Sequence, residues 1–198
     1  MSKRYIIGID VDGVLSDFML EFRRICHNKF GTDMNLFPVD WDWSNFNLTK
    51  EQFDEAWAEI HSTNNFWEKL KIRQGVSLDS LDQLFPSELY YITSREETVG
   101  DPAQVQTAKW LKKNLGELVP SVIISFNKGE VAKALKLDAF VDDNINNCLK
   151  VLEAVPTCKV FIMDGSHNKG FNHPQIKRVY SFDEFVNTIV DTENESEC

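Results

Sequence analysis

Tyr5-Ile6-Ile7-Gly8-Ile9-Asp10-Val11-Asp12-Gly13-Val14-Leu15 reads as a buried strand running directly into an acidic turn. A short, β-branched apolar run without polar alternation suits a parallel strand covered on both faces. It delivers two carboxylates to the strand's carboxyl end, the edge at which open α/β sheets place their ligands. Gly13 lets the chain turn away sharply. Two acids so close repel each other unless a cation or a shared proton intervenes, so the stretch implies chemistry with a divalent metal. A calcium loop counted from Asp10 fails, because Leu15 stands where that loop requires glycine. A dinucleotide fingerprint also fails, with Gly8 inside the strand and no GxGxxG after it.

Downstream, Ser16 to Phe30 carries an apolar face at Phe18, Leu20, Phe22 and Ile25 and stops at Gly31, as a helix does. Residues 32–48 are irregular and aromatic-rich. Thr49-Lys50-Glu51-Gln52 is a capping box opening a second helix. No strand pattern occurs between Leu15 and Gly75. From Val76 onward strands and helices alternate: a helix over 77–85, a strand over 88–92, and a helix N-capped by Asp101 with Pro102 at its first position. A strand over 119–126, a helix over 129–137, a strand over 138–141, a helix over 144–154 and a strand over 158–163 come next. Ser181-Phe182-Asp183-Glu184 opens a closing helix to Val190. Alternation of this kind specifies a parallel sheet covered on both faces. The expected fold is α/β: a Rossmann-like doubly wound parallel core over 1–15 and 76–190, a small helical cap inserted after the first strand over 16–75, and an acidic flexible tail over 191–198.

Composition bounds the function. The 198 residues suffice for one hydrophobic core with a modest appendage, and the net charge of −10 argues against a nucleic-acid polymer or an anionic membrane as partner. No signal peptide or membrane span is expected. The four cysteines form no CxxC pair, which suits reduced thiols in a cytoplasmic protein. A small phosphorylated substrate remains compatible, since a metal ion and a lysine invert the local field. A homodimer is allowed but not specified.

The polar residues at the ends of the later strands give the acidic turn its meaning. The second strand ends in Thr93-Ser94-Arg95, Asn127-Lys128 comes after the third, and the fourth ends in Asp142-Asp143. In a parallel sheet these ends share one edge. Asp10 is placed as a carboxylate nucleophile toward phosphorus, and Asp12 as acid and then base. Thr93, Ser94 and Lys128 are the candidate phosphate holders. Asp10, Asp142 and Asp143, with Asp12 also a candidate, offer hard oxygen ligands for Mg²⁺. Lys128 is preferred to Lys133 because it sits at the strand end. Arg95 is open to assisting phosphate binding or to pairing with Glu96 or Glu97 at the surface, and the surface pair is favoured; the four histidines read as surface or loop residues, and Asp17 and Asp164 as structural.

The ordered set (strand-DxDG, strand-Thr-Ser, Lys128, then strand-Asp142-Asp143) resembles the haloacid dehalogenase superfamily of phosphotransferases. Within it the chain is most similar to the 5'(3')-deoxyribonucleotidase family. Asp12-Gly13-Val14-Leu15-Ser16-Asp17-Phe18 resembles that family's DGVLADF, the aromatic insertion resembles its cap, and Phe66-Trp67-Glu68-Lys69-Leu70 resembles the stretch re-entering its core. The chain departs at Arg73-Gln74-Gly75, where the family has a Pro-Gly turn, and at Arg95, where it tends to have proline. The resemblance implies a Mg²⁺-dependent nucleoside monophosphate phosphatase working through an aspartyl-phosphate, with Phe18 lining the base pocket. Trp43, Phe46, Phe66 and Trp67 are further candidates for the substrate wall, although a small cap also needs aromatics as its core. Another small phosphorylated metabolite, such as a sugar phosphate, is the alternative substrate. A non-catalytic binding protein and a dehalogenase are disfavoured, because both Asp10 and Asp12 are present.

Overall fold

Six parallel strands in the order β3-β2-β1-β4-β5-β6 form the central sheet: β1 (Ile6–Ile9), β2 (Glu88–Thr93), β3 (Ser121–Ile124), β4 (Ala139–Asp142), β5 (Lys159–Met163) and β6 (Ile176–Val179). The computed structural model describes residues 4–195. The helices are α1 (Phe18–Phe30), α2 (Lys50–Ser62), α3 (Leu78–Asp82), α4 (Ala103–Leu115), α5 (Lys128–Leu135), α6 (Ile145–Ala154) and α7 (Phe182–Glu195). The strand order reverses direction at β1, between β2 and β4, which makes the carboxyl end of β1 the switch-point crevice of a doubly wound sheet.

Strand alternation builds two cores. Ile7, Ile9, Tyr91, Val141 and Phe161 point to the face covered by α4 and α7, where Trp110, Phe182 and Phe185 are fully buried. Ile92, Phe140, Val160 and Ile162 point to the other face, against Ala132 of α5 and Cys148 and Val151 of α6. Gly8 has no side chain because none would fit: a Cβ there would lie 2.6 Å from Leu137 Cδ1 and 2.9 Å from Phe140 Cδ2.

The insertion after β1 holds α1 and α2. Asp17 caps α1 by accepting from the Leu20 amide at 3.0 Å, and Gly31 ends it in a left-handed conformation. The expected box at α2 is present in both directions, Gln52 N to Thr49 Oγ1 at 3.2 Å and Thr49 N to Gln52 Oε1 at 3.0 Å. The chain rejoins the sheet side before residue 76. The 3₁₀ turn Phe66–Lys69 packs on α4, Trp110 Nε1 donates to Leu70 O at 2.7 Å, and Arg73 N donates to Leu15 O at 2.8 Å.

Several expected boundaries shift, each for a local reason. Asp101 does not cap α4; the N-cap is Pro102, and Glu97 Oε2 instead accepts from the Ala103 amide at 2.9 Å. α3 is only Leu78–Asp82, because the chain tightens into i→i+3 bonds such as Leu84 N to Leu81 O before Pro86. β3 is only Ser121–Ile124, the four residues that pair with Tyr90–Thr93 of β2. Residues 191–195, expected in the tail, continue α7; 196–198 lie outside the described residues.

Candidate active site

β1 ends where its ladder with β4 does: the Asp10 amide donates to Val141 O at 2.9 Å, and the chain then loops so that the Leu15 and Ser16 amides both reach Val11 O. Gly13 is needed twice in that loop. Its φ is +82°, and a Cβ there would lie 2.0 Å from Asp143 Oδ2. The Asp10-Asp12 turn and the Asp142-Asp143 end of β4 are thereby brought into van der Waals contact.

Lys128, 1% exposed at the start of α5, extends between them, its Nζ 2.6 Å from Asp10 Oδ1 and 2.7 Å from Asp142 Oδ2. Lys133 is exposed. Burial, then the charge of Asp142, raises the Asp10 pKa well above the usual carboxylate range, and Lys128 pulls against this only in part. Burial alone would depress the Lys128 pKa, but the two carboxylates more than offset it and push it up. The second Asp142 oxygen accepts from the Asn144 amide at 2.8 Å.

Carboxylate oxygens of Asp10, Asp142 and Asp143 lie within 4.8 Å of one another. Asp143 Oδ1 is fully buried and has no hydrogen-bond partner among the described residues. Three carboxylates, one of them with an orphaned oxygen, fit a divalent cation such as Mg²⁺. Asp12, expected among the metal ligands, is outside this group; its two oxygens accept from Arg95 instead.

That is the main correction to the sequence reading. Arg95 is not a surface residue: it is 2% exposed, with Nε donating to Asp12 Oδ2 at 2.8 Å and Nη2 to Asp12 Oδ1 at 2.8 Å. Its expected partners are engaged elsewhere, Glu96 with His61 at 2.8 Å and Glu97 with the α4 amide. Burial would raise the Asp12 pKa, but the Arg95 charge and hydrogen bonds, with Ser16 Oγ at 2.7 Å, hold it below the usual range. Its place directly after Thr93-Ser94, at the carboxyl edge of β2, was the available signal. His167 sits in a loop, as expected, but its ring is buried there, with Nε2 3.3 Å from Asp143 Oδ2. Arg73 was missed as well; its guanidinium donates to Gly13 O and, at 2.7 Å, to Asp164 O, bracing the acidic turn from the returning chain.

These groups form the floor of a cavity of about 1160 Å³ between the sheet edge and the insertion. Asp10, Asp12, Thr93, Ser94, Lys128, Asp142 and Asp143 all line it. Thr93 Oγ1 lies 3.4 Å from Asp12 Oδ2, and Ser94 Oγ donates to Ser125 O at 2.9 Å. Phe18, Trp43 and Trp67 form an aromatic wall, with the Phe18 ring 6.5 Å from Trp43 and 5.9 Å from Trp67. Phe46 and Phe66, expected beside them, are buried behind this wall and do not line the cavity; they fill the core of the insertion. Trp41, Phe37 and Phe126 are exposed and line it from the rim.

A doubly wound sheet with an aspartate pair after β1, a hydroxyl pair after β2, and a lysine set against two aspartates defines a hydrolase of the haloacid dehalogenase type. Solved structures share the fold. One is a hydrolase of that family from Deinococcus radiodurans R1 with bound phosphate and sodium (TM-score 0.59, 11% identity, 98% of each chain). Another is a D,D-heptose 1,7-bisphosphate phosphatase from Burkholderia thailandensis (TM-score 0.57, 9% identity, 95% of this chain and 99% of that one). Residues 4–194 match the family described as 5' nucleotidase, deoxy (pyrimidine), cytosolic type C, and the chain belongs to that family. A nucleotidase of Clostridium acetobutylicum is 24% identical over 188 residues, covering 93% of each chain. The protein is thus an enzyme, a hydrolase of the phosphatase and nucleotidase type.

Proposed function

We propose that this protein is a Mg²⁺-dependent phosphomonoesterase of nucleoside monophosphates, acting in the cytoplasm through an aspartyl-phosphate on Asp10. The observation that carries the reading is the juxtaposition in one cavity of a carboxylate pair on the floor and the rings of Phe18, Trp43 and Trp67 on the wall. A phosphate on the floor places its organic group against the rings, and a nucleobase is the flat, apolar-faced group that such a wall accepts.

The chemistry is dictated by the floor. An Asp10 carboxylate oxygen attacks phosphorus as the bond to the leaving oxygen breaks, and Asp12 passes a proton to that oxygen. The arriving phosphate, a like charge beside Asp12, raises its proton affinity and so loads the acid. Water then attacks the acyl phosphate, Asp12 takes its proton, the phosphorus–Asp10 bond breaks and inorganic phosphate leaves. Lys128 holds Asp10 in place, and with Thr93 and Ser94 supplies donors to the phosphoryl oxygens. Mg²⁺ held by Asp10, Asp142 and Asp143 would neutralise charge on those oxygens. The family description supports a cytosolic setting, and no helix among the described residues is long and apolar enough to cross a membrane.

A phosphate-release screen over nucleoside monophosphates and sugar phosphates, with Mg²⁺ or with chelator, tests the reading beside Asp10→Asn. Hydrolysis is expected to need the metal, to favour nucleotides, and to vanish in the variant. Wild-type rates in Asp10→Asn would refute the mechanism, and equal rates on sugar phosphates would refute the substrate class.

A further inference from the structure

We infer that Arg95 is a positioning residue that holds the Asp12 carboxylate on its line to the leaving-group oxygen; the inference rests on the acid–base role proposed for Asp12. The geometry is that of a two-pronged clamp. Nε and Nη2 meet the two carboxylate oxygens separately, each at 2.8 Å, so the plane of the carboxylate is set as well as its distance. A lysine, which offers a point charge, would leave that plane free to rotate.

The clamp is itself immobilised. Nη1 donates to Thr107 Oγ1 at 2.9 Å, and that hydroxyl in turn donates to Ala103 O at 2.7 Å in the first turn of α4. Nη2 lies 3.3 Å from Ser16 Oγ, and the guanidinium lies 4.9 Å from the Trp67 ring centroid. Both residues border the cavity, but Asp12 keeps 22% of its side chain exposed whereas the Arg95 side chain is 0% exposed. Arg95 therefore acts through Asp12. The buried ammonium of Lys128 is hydrogen-bonded to Asp10 and Asp142, so the two carboxylates of the turn have separate cations and separate orientations.

A residue this buried is also structural, and the test must separate the two roles. The ratio of kcat/KM for a nucleoside monophosphate to that for p-nitrophenyl phosphate does so. An alkoxide leaves only with a proton, a nitrophenolate leaves without one, and the ratio is independent of how much enzyme is folded. Arg95→Met is expected to lower the ratio about tenfold or more, Arg95→Lys less, and added guanidinium ion to recover part of the loss in Arg95→Met. Thr107→Val, which loosens the clamp without touching Asp12, lowers it slightly. In an Asp12→Asn background Arg95→Met is expected to change the ratio no further, since the group it orients is gone. If both substrates slow equally in Arg95→Met, Arg95 is structural only and the inference fails. If the loss appears wholly in KM, Arg95 binds substrate and the inference also fails. Should the wild type prefer another alkyl phosphate, the same ratio is taken with that substrate. The substrate reading and the inference therefore fail separately.

Discussion

Replacing Lys128 by methionine removes the ammonium that holds together the Asp10 turn and the end of β4. The side chain is nearly isosteric up to the charge, so packing changes little and electrostatics dominates. At 2.6 and 2.7 Å each contact is worth about 6 kcal/mol of attraction at an effective dielectric near 20. Desolvating the three ions offsets several kcal/mol apiece, so the intact cluster adds little net stability. The substitution is different, because it leaves Asp10 and Asp142 buried beside Asp143 with no counter-charge. Breaking a buried pair in this way costs about 3–5 kcal/mol. In urea that corresponds to a midpoint lowered by about 2 M.

The same geometry has two further consequences. The Asp10 pKa already lies above its ordinary value, so a proton replaces the missing ammonium in acid. A raised carboxylate pKa means stability that is present below the unfolded value and lost as pH rises. The deficit of Lys128→Met therefore widens from pH 5 to pH 8. Mg²⁺ also meets a more negative site in the variant and is expected to stabilise it more than it stabilises wild type; at a hundredfold excess over its Kd the bound ion adds about 2.7 kcal/mol. The assay is equilibrium urea unfolding at both pH values, with Mg²⁺ and with chelator. A loss under about 1 kcal/mol at pH 8 with chelator, set against the expected 3–5 kcal/mol, would refute the reasoning.

Gly13→Ala is expected to abolish hydrolysis while leaving a folded protein by circular dichroism, because a methyl group there meets Asp143 Oδ2 at 2.0 Å and the φ of +82° disfavours it. Trp110→Phe strands the buried Leu70 carbonyl that now accepts at 2.7 Å, at a cost of about 1–3 kcal/mol in chemical denaturation. Burial pushes the Cys26 thiol up to about 11 and the Cys158 thiol up to about 12, from an ordinary 9.0. Their neutral forms favour the fold, so stability holds below pH 9 and falls above it; Ellman's reagent at pH 8 is expected to reach them only after unfolding.

The local signals of this chain were strong where chemistry and periodicity coincide. The β1 run, the aspartate pair, the capping box at Thr49 and the alternation after Val76 are each legible from near neighbours in sequence, and they sufficed for the parallel sheet, the α1 and α2 helices and the approximate ends of β1 to β5, but not for β6. Arg95 shows where that reasoning stops. Its nearest charges in sequence, Glu96 and Glu97, suggested a surface pair, whereas its partner Asp12 is 83 residues away. Phe46, Phe66, Trp43 and Trp67 are alike in sequence, yet only the latter two line the cavity, because which face of a small helical layer meets substrate depends on how its turns pack. His167 and Arg73 reach the acidic turn from loops with no motif of their own. The sequence by itself determined that two carboxylates stand at the end of a buried strand. The tertiary structure decided that one is held by a lysine beside two further aspartates and the other by an arginine fork, because the cation nearest a carboxylate in a folded chain is set by strand order and helix packing.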